Sequence, residues 1–96
     1  MKFIDDLMKI KQYAITTANA KNYGNKPLYY VECKFPYKDL VFASFENGYL
    51  GFTDSAHAVR FEKQEHAEIL VDIIKNIFAT VSPEAVVYSK YYQNVV

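Results

Sequence analysis

The sequence is poor in the residue types that commonly anchor disulfides, metals or phosphates. Its 96 residues include one cysteine, one arginine, three glycines and no tryptophan. A single thiol excludes an internal disulfide framework, and three glycines are too few for a phosphate-cradling loop. With Arg60 as its one guanidinium, the chain has little means of reading phosphates or guanines bidentately.

Two further absences concern location and charge. No stretch approaches the roughly 20 apolar residues of a membrane span, and the first residues lack the apolar core of a signal peptide. We therefore expect a soluble, cytoplasmic protein with no membrane partner. Eleven basic residues balance eleven acidic ones, which removes the electrostatic argument for nucleic acid as a partner.

Apolar and aromatic residues are plentiful. Half of the residues are hydrophobic, and nine tyrosines and seven phenylalanines make up 17% of the chain. A disordered chain is depleted in these residue types, and the length suits one domain. The composition therefore predicts a single folded domain over residues 1–96.

Two segments have the periodicity of amphipathic helices, residues 3–19 and residues 63–80. Pro83 is expected to end the second helix. Both helices should pack through their apolar sides. The stripe of the second helix consists of Ala67, Leu70, Ile73, Ile74, Ile77, Phe78 and Val81.

Four segments have the composition of strands. They are residues 28–35, 41–46, 49–53 and 85–92. The predicted fold is α+β in the order α-β-β-β-α-β, a small antiparallel sheet made of a three-strand meander plus a C-terminal strand. The two helices are expected on one face of this sheet. Where the C-terminal strand pairs is left open.

Turn chemistry and the alternation of apolar and polar residues predict the two hairpin registers. Asn47-Gly48 favours a two-residue type I′ turn that pairs Glu46 with Tyr49. For the first hairpin we predict a five-residue loop over 36–40, because this register keeps Glu32 on the solvent side of the sheet.

Residues that could carry chemistry are few. The spacing of Cys33, His57 and His66 matches no metal-ligand pattern, so neither metal nor cofactor is expected. Asp54, Ser55 and His57 superficially resemble parts of a hydrolase site, but adjacency in a turn does not bring a triad together. The chain is therefore predicted to be non-enzymatic.

The predicted registers place a second set of aromatic residues on the sheet face away from the helices. Tyr30, Phe42 and Tyr49 would lie there around Gly51. Tyrosine is enriched at interface hot spots, which makes these four residues a candidate protein interface. Tyrosine is equally a good residue for a half-exposed strand.

Residues 48–54 and the segments Ala58-Val59-Arg60-Phe61 and Glu65-His66-Ala67 resemble small uncharacterised proteins of Gram-positive phages and mobile elements. The resemblance covers about 20 residues and carries no functional residue. It implies a source in which small proteins without catalytic motifs modulate a host protein, as anti-CRISPR and other anti-defence inhibitors do.

The leading hypothesis is therefore a non-enzymatic domain that binds a host or phage protein, with a homodimer left open. One alternative is a binder of single-stranded nucleic acid that stacks bases on Tyr30, Phe42 and Tyr49. Another is a small accessory subunit of an enzyme or a binder of small ligands.

Overall fold

Three helices and five strands follow one another in the part of the chain that the computed structural model describes, residues 2–94, without the side chains of Lys2, Phe3 and Asn47. They form a small α+β fold with an open antiparallel sheet. Three short 3-10 turns lie between them, at Lys21–Tyr23, Glu46–Gly48 and Ser55–His57. The helices are α1 (Lys2–Lys11), α2 (Thr17–Ala20) and α3 (Gln64–Val81), and the strands are β1 (Pro27–Phe35), β2 (Lys38–Ser44), β3 (Gly51–Thr53), β4 (Arg60–Phe61) and β5 (Val86–Gln93).

Strand β1 is the centre of the sheet. β5 pairs with the whole of one edge of β1, from Pro27 opposite Gln93 to Lys34 opposite Val86. β4 and β2 also pair with β1, and β3 extends the sheet beyond β2. The C-terminal strand, which sequence could not place, therefore covers the strand that contributes most to the core.

The first predicted helix is wrong in its C-terminal half. α1 ends at Lys11, and Ile15 forms a bridge with Arg60 through two backbone hydrogen bonds of 2.8 and 3.0 Å. The β-branched residues Ile15 and Thr16 favour this extended backbone. The observed order consequently contains two elements that were not predicted, α2 and β4.

The second hairpin keeps its predicted register, because Ala43 lies opposite Phe52. Its turn differs from the predicted type I′ turn, since Glu46–Gly48 form a 3-10 turn. Gly48 has a φ of 78° there, a left-handed conformation that glycine adopts at little cost.

The first hairpin is tighter than predicted. Phe35 pairs with Lys38 across a two-residue connection, and Cys33 pairs with Val41 beyond an irregularity in the ladder. The predicted five-residue loop is therefore wrong. The irregularity nevertheless keeps Cys33 and Val41 on the helix side, as a bulge can by adding one residue to a strand.

Two separate cores cover the two faces of the sheet. α3 confirms its prediction almost to the residue, and it packs with Ile10 of α1 against the first face. The expectation that the other face is open is wrong, because α2 and the segment before β4 cover part of it. This second core consists of Ile15, Ala20, Leu28, Tyr30, Phe42 and Ala58.

Candidate functional site

Two of the four residues predicted to form an interface lie inside the second core. Tyr30 is fully buried and Phe42 is 8% exposed, with their rings edge to face at 6.0 Å between centroids. Their predicted exposure is therefore wrong. The physical reason is that the chain between α1 and β1 turns back over this face instead of continuing as a helix.

The other two predicted residues remain accessible but apart from the first pair. Tyr49 is 79% exposed beside the Glu46–Gly48 turn. Gly51 starts the short strand β3, and a Cβ atom built on it meets nothing within 4 Å. A binding role for Tyr49 or Gly51 stays a prediction, but the four residues do not form one exposed face.

Arg60 is buried and holds the second core together. Its Nε donates a hydrogen bond to the Tyr30 hydroxyl at 3.0 Å, and its guanidinium carbon lies 5.2 Å from the centre of the Tyr30 ring. Two other guanidinium nitrogens donate to the carbonyl oxygens of Ala58 at 3.0 Å and Ala56 at 3.2 Å. The one arginine of the chain thus ties the turn before β4 to the sheet.

Asp54 and His57 form a local surface contact. Asp54 Oδ1 accepts a hydrogen bond from the His57 backbone at 3.1 Å and lies 2.9 Å from His57 Nδ1. The hydrogen bond from the His57 side chain is the main reason why the pKa of Asp54 is lowered. Both side chains are exposed, and the geometry is that of a residue capping a 3-10 turn.

The remaining residues considered for metal binding, His66 and Cys33, each have a packing role in a different place. His66 stacks on Tyr13 with 3.8 Å between ring centroids, while Cys33 is buried in the first core. Across residues 2–94, no group of three or more His, Cys, Asp or Glu side chains is arranged to hold a metal ion.

Glu32 is a buried carboxylate that sequence reasoning assigned to solvent. It is 1% exposed, and the Tyr92 hydroxyl donates a hydrogen bond to it. A hydrogen bond from Tyr88 to the same carboxylate is the first cause of the rise in the pKa of Tyr88 to about 12. Two tyrosines of β5 therefore satisfy the one acidic side chain in the middle of β1.

We expect the stability of the fold to fall at alkaline pH. Burial raises the pKa of the Cys33 thiol from 9.0 to about 12, so the unfolded chain loses this proton first as pH rises. The free energy of unfolding should then decrease between these two values, by about 1.4 kcal/mol per pH unit while the two states differ by one proton.

Urea denaturation measured over this alkaline range tests the expectation. Tyr88 adds to the fall with the same sign, because its pKa is raised from 10.0. Cys33→Ala removes the thiol and leaves Tyr88, so the difference between the two pH profiles isolates the thiol. Parallel profiles would show that burial of Cys33 does not oppose its ionisation.

Four aromatic side chains meet at the surface near the C-terminal end of α3, and we call them the α3-end cluster: Phe35, Tyr37, Phe52 and Phe78. The Phe78 ring is 5.6 Å from Phe35 and 5.5 Å from Phe52, and the Phe35 ring is 6.3 Å from Tyr37. Tyr37 is 67% exposed and Phe52 is 42% exposed. Together with Lys38, Val41 and Ser82 they line a groove of about 380 Å³.

The apolar stripe of α3 continues past the point where the core ends. Ile77 is 36% exposed and Val81 is 71% exposed, so the prediction that the whole stripe is core is wrong at this end. A second groove of about 290 Å³ is also lined by Phe78, together with Pro83 and Val86. The α3-end cluster therefore lies among further exposed apolar side chains.

Polar groups border the α3-end cluster without covering it. The Lys38 ammonium lies 5.2 Å from the centre of the Phe35 ring, and the Tyr37 hydroxyl donates a hydrogen bond of 2.9 Å to Glu84. An apolar centre with a polar rim is the usual anatomy of a protein interface. The sequence indicated this surface only through the length of the apolar stripe of α3. Periodicity does not show where along the helix the stripe stops being buried by the sheet.

Comparison with protein-family models, with curated proteins and with solved structures finds no match for this chain. No helix within residues 2–94 is long and apolar enough to cross a membrane. A function therefore has to be inferred from the surface itself.

Proposed function

We propose that this chain is a non-enzymatic protein-binding domain whose contact surface is the α3-end cluster. The observation that carries the proposal is the convergence of four aromatic rings on one groove, two of them substantially exposed. Contiguous exposed apolar surface of this kind marks interaction sites, and aromatic side chains lose little conformational entropy when a partner covers them.

The groove favours a partner that inserts apolar side chains between the rings. Lys38 and Glu84 at its border bring one positive and one negative charge, so the surface suits a partner of mixed charge. The resemblance to small phage proteins favours a host protein as this partner, which makes the chain an inhibitor or modulator of a host process, with an anti-defence role as one form. Its contacts would be apolar, in contrast to inhibitors that imitate DNA through acidic surfaces.

Single-stranded nucleic acid is the less favoured partner. The stacking surface proposed for it needed Tyr30 and Phe42 at the surface, and both are buried. The two partners differ in their response to salt, because phosphate neutralisation weakens steeply as ionic strength rises. Binding that persists at high salt would favour a protein partner.

Simultaneous replacement of Tyr37 and Phe52 by alanine is expected to weaken partner binding at least about tenfold, since each exposed aromatic at the centre of an interface contributes about 1 kcal/mol or more. Both side chains are largely outside the core, so the fold should persist. Partner proteins recovered from the source cell by the wild-type chain provide the ligand for a titration by calorimetry.

Tyr49→Ala is the matched control, because Tyr49 is a large exposed aromatic beside the Glu46–Gly48 turn and outside the α3-end cluster. It should leave the affinity for the recovered partner unchanged. If Tyr49→Ala abolishes binding while the double variant binds normally, the contact surface lies at the β2–β3 turn and the proposed surface is wrong.

A further inference from the structure

Strand β5 has an outer edge that no other strand pairs with in the part of the chain from residue 2 to residue 94. The inner edge of β5 pairs with β1 in one unbroken register along the whole strand. An edge strand normally carries a proline, a bulge or several charges that prevent another strand from adding to it. β5 has neither a proline nor a bulge in its pairing with β1, and Lys90 is its one charged residue.

The backbone groups that face outwards can be assigned. In an antiparallel ladder, alternate residues direct both their N–H and C=O groups to the same side. The Asn94 backbone nitrogen donates to the Lys26 oxygen at 3.2 Å, which continues the β1–β5 register. The backbone N–H and C=O groups of the even-numbered residues of β5 therefore point towards β1. The backbone groups of the odd-numbered residues face the open edge, and these residues are Val87, Ser89, Tyr91 and Gln93.

We propose that a second copy of this chain pairs with this edge, with the two β5 strands antiparallel around a twofold axis at Ser89. Since only odd-numbered residues offer free backbone groups, the two strands must pair odd residue with odd residue. The longest overlaps then have either Ser89 or Lys90 on the axis. The pairing would join two sheets into one continuous sheet.

Charge decides between these two registers. With Lys90 on the axis, Lys90 would lie opposite Lys90 of the second copy in a pair without hydrogen bonds, where Cα atoms are only about 4.5 Å apart. Like charges directly opposite each other are destabilising. With Ser89 on the axis, each Lys90 lies opposite Tyr88 of the second copy, where a cation can contact an aromatic ring.

The Ser89 register is favourable along the rest of the strand as well. It places Tyr91 opposite Val87 and Tyr92 opposite Val86 of the second copy, and aromatic with β-branched pairs stabilise antiparallel strands. Val86 and Tyr91, each 55% exposed, would gain cover. Each pair occurs twice and the assembly closes, as in most homodimers. This self-complementarity is why a second copy, and not an unrelated strand, is the assigned occupant.

A disulfide trap tests both the dimer and its register. In the proposed dimer the two Ser89 Cα atoms lie about 5.5 Å apart, within the range that a disulfide spans. Ser89→Cys should therefore form a covalent dimer under oxidised glutathione, seen on a non-reducing gel. Cys33 should not compete, because it is buried and its pKa is raised.

Lys90→Cys is the matched control, because in this register it faces Tyr88 and not its own copy. It should remain monomeric on the gel. A covalent dimer from Lys90→Cys but not from Ser89→Cys would overturn the register, and no covalent dimer from either variant would overturn the pairing.

Ser89→Pro gives an independent reading in solution. Proline removes an N–H group that points away from β1, so it is tolerated at a free edge. Besides the bond from Ser89 Oγ to Glu68 within each chain, two backbone hydrogen bonds between the copies are lost, and the dimer dissociation constant should rise at least about tenfold. Sedimentation equilibrium measures it, with circular dichroism as the check on folding.

A wild-type chain that sediments as a monomer at every concentration would overturn the dimer and leave the edge to a strand of another protein. The Tyr37 and Phe52 double variant should dimerise normally, since neither residue lies on β5. Failure of the dimer and failure of the proposed function can therefore be told apart.

Discussion

Replacing Arg60 by methionine is expected to lower the free energy of unfolding by about 3 kcal/mol or more. Methionine keeps most of the buried volume but none of the hydrogen-bond donors. The Tyr30 hydroxyl and the carbonyl oxygens of Ala56 and Ala58 would each lose a partner. A hydrogen bond to a charged group contributes about 1.5–3 kcal/mol. Urea denaturation measures this loss, and the m-value is expected to stay unchanged.

Two further variants define what this result means. Lys63→Met removes an exposed cation close to Arg60 in sequence and should change stability by less than about 0.5 kcal/mol. Arg60→Lys keeps the charge but not the planar arrangement of donors. Its loss of unfolding free energy should therefore lie between the losses for Arg60→Met and Lys63→Met. A loss below about 1 kcal/mol for Arg60→Met would mean that the guanidinium does not organise the second core.

Ile73→Ala should destabilise the fold by about 2–5 kcal/mol, because it opens a cavity in a well-packed core. Ile73 is 3% exposed on the side of α3 that faces the sheet. Ile77→Ala, one helical turn further on, removes the same atoms from a side chain that is 36% exposed. Its cost should be less than about half as large, because solvent already reaches the site. Thermal or urea unfolding of both variants tests where the core ends.

Equal losses for the two variants would show that the apolar stripe of α3 is still buried at Ile77.

Local sequence patterns were sufficient to predict the elements that depend mainly on residues close by in sequence. α3 has one strongly apolar side over its length, and the register of β2 with β3 follows from a short connection. The first helix was predicted too long because apolar spacing continues through Ile15, whereas the backbone there pairs with Arg60, which is far away in sequence. A non-local hydrogen-bond partner overrode a local pattern.

The candidate site depended even more on non-local packing. Tyr30 and Glu32 alternate with core residues in β1, so period-two reasoning assigned both to solvent. Each is nevertheless buried, and its hydrogen-bonding partner is distant in sequence, Arg60 for Tyr30 and Tyr92 for Glu32. Exposure at the end of α3 could not be predicted either, since it depends on where the strands under the helix stop.

The position of the last strand beside the first has a consequence for how the chain folds. Glu32 of β1 and Tyr92 of β5, whose side chains are joined by a hydrogen bond, are 60 positions apart, so the central strand gains one of its neighbours only by closing most of the chain into a loop. Contacts of such separation slow folding. During synthesis β1 also has to wait for β5 to leave the ribosome, and until then its unpaired edge is available to other chains.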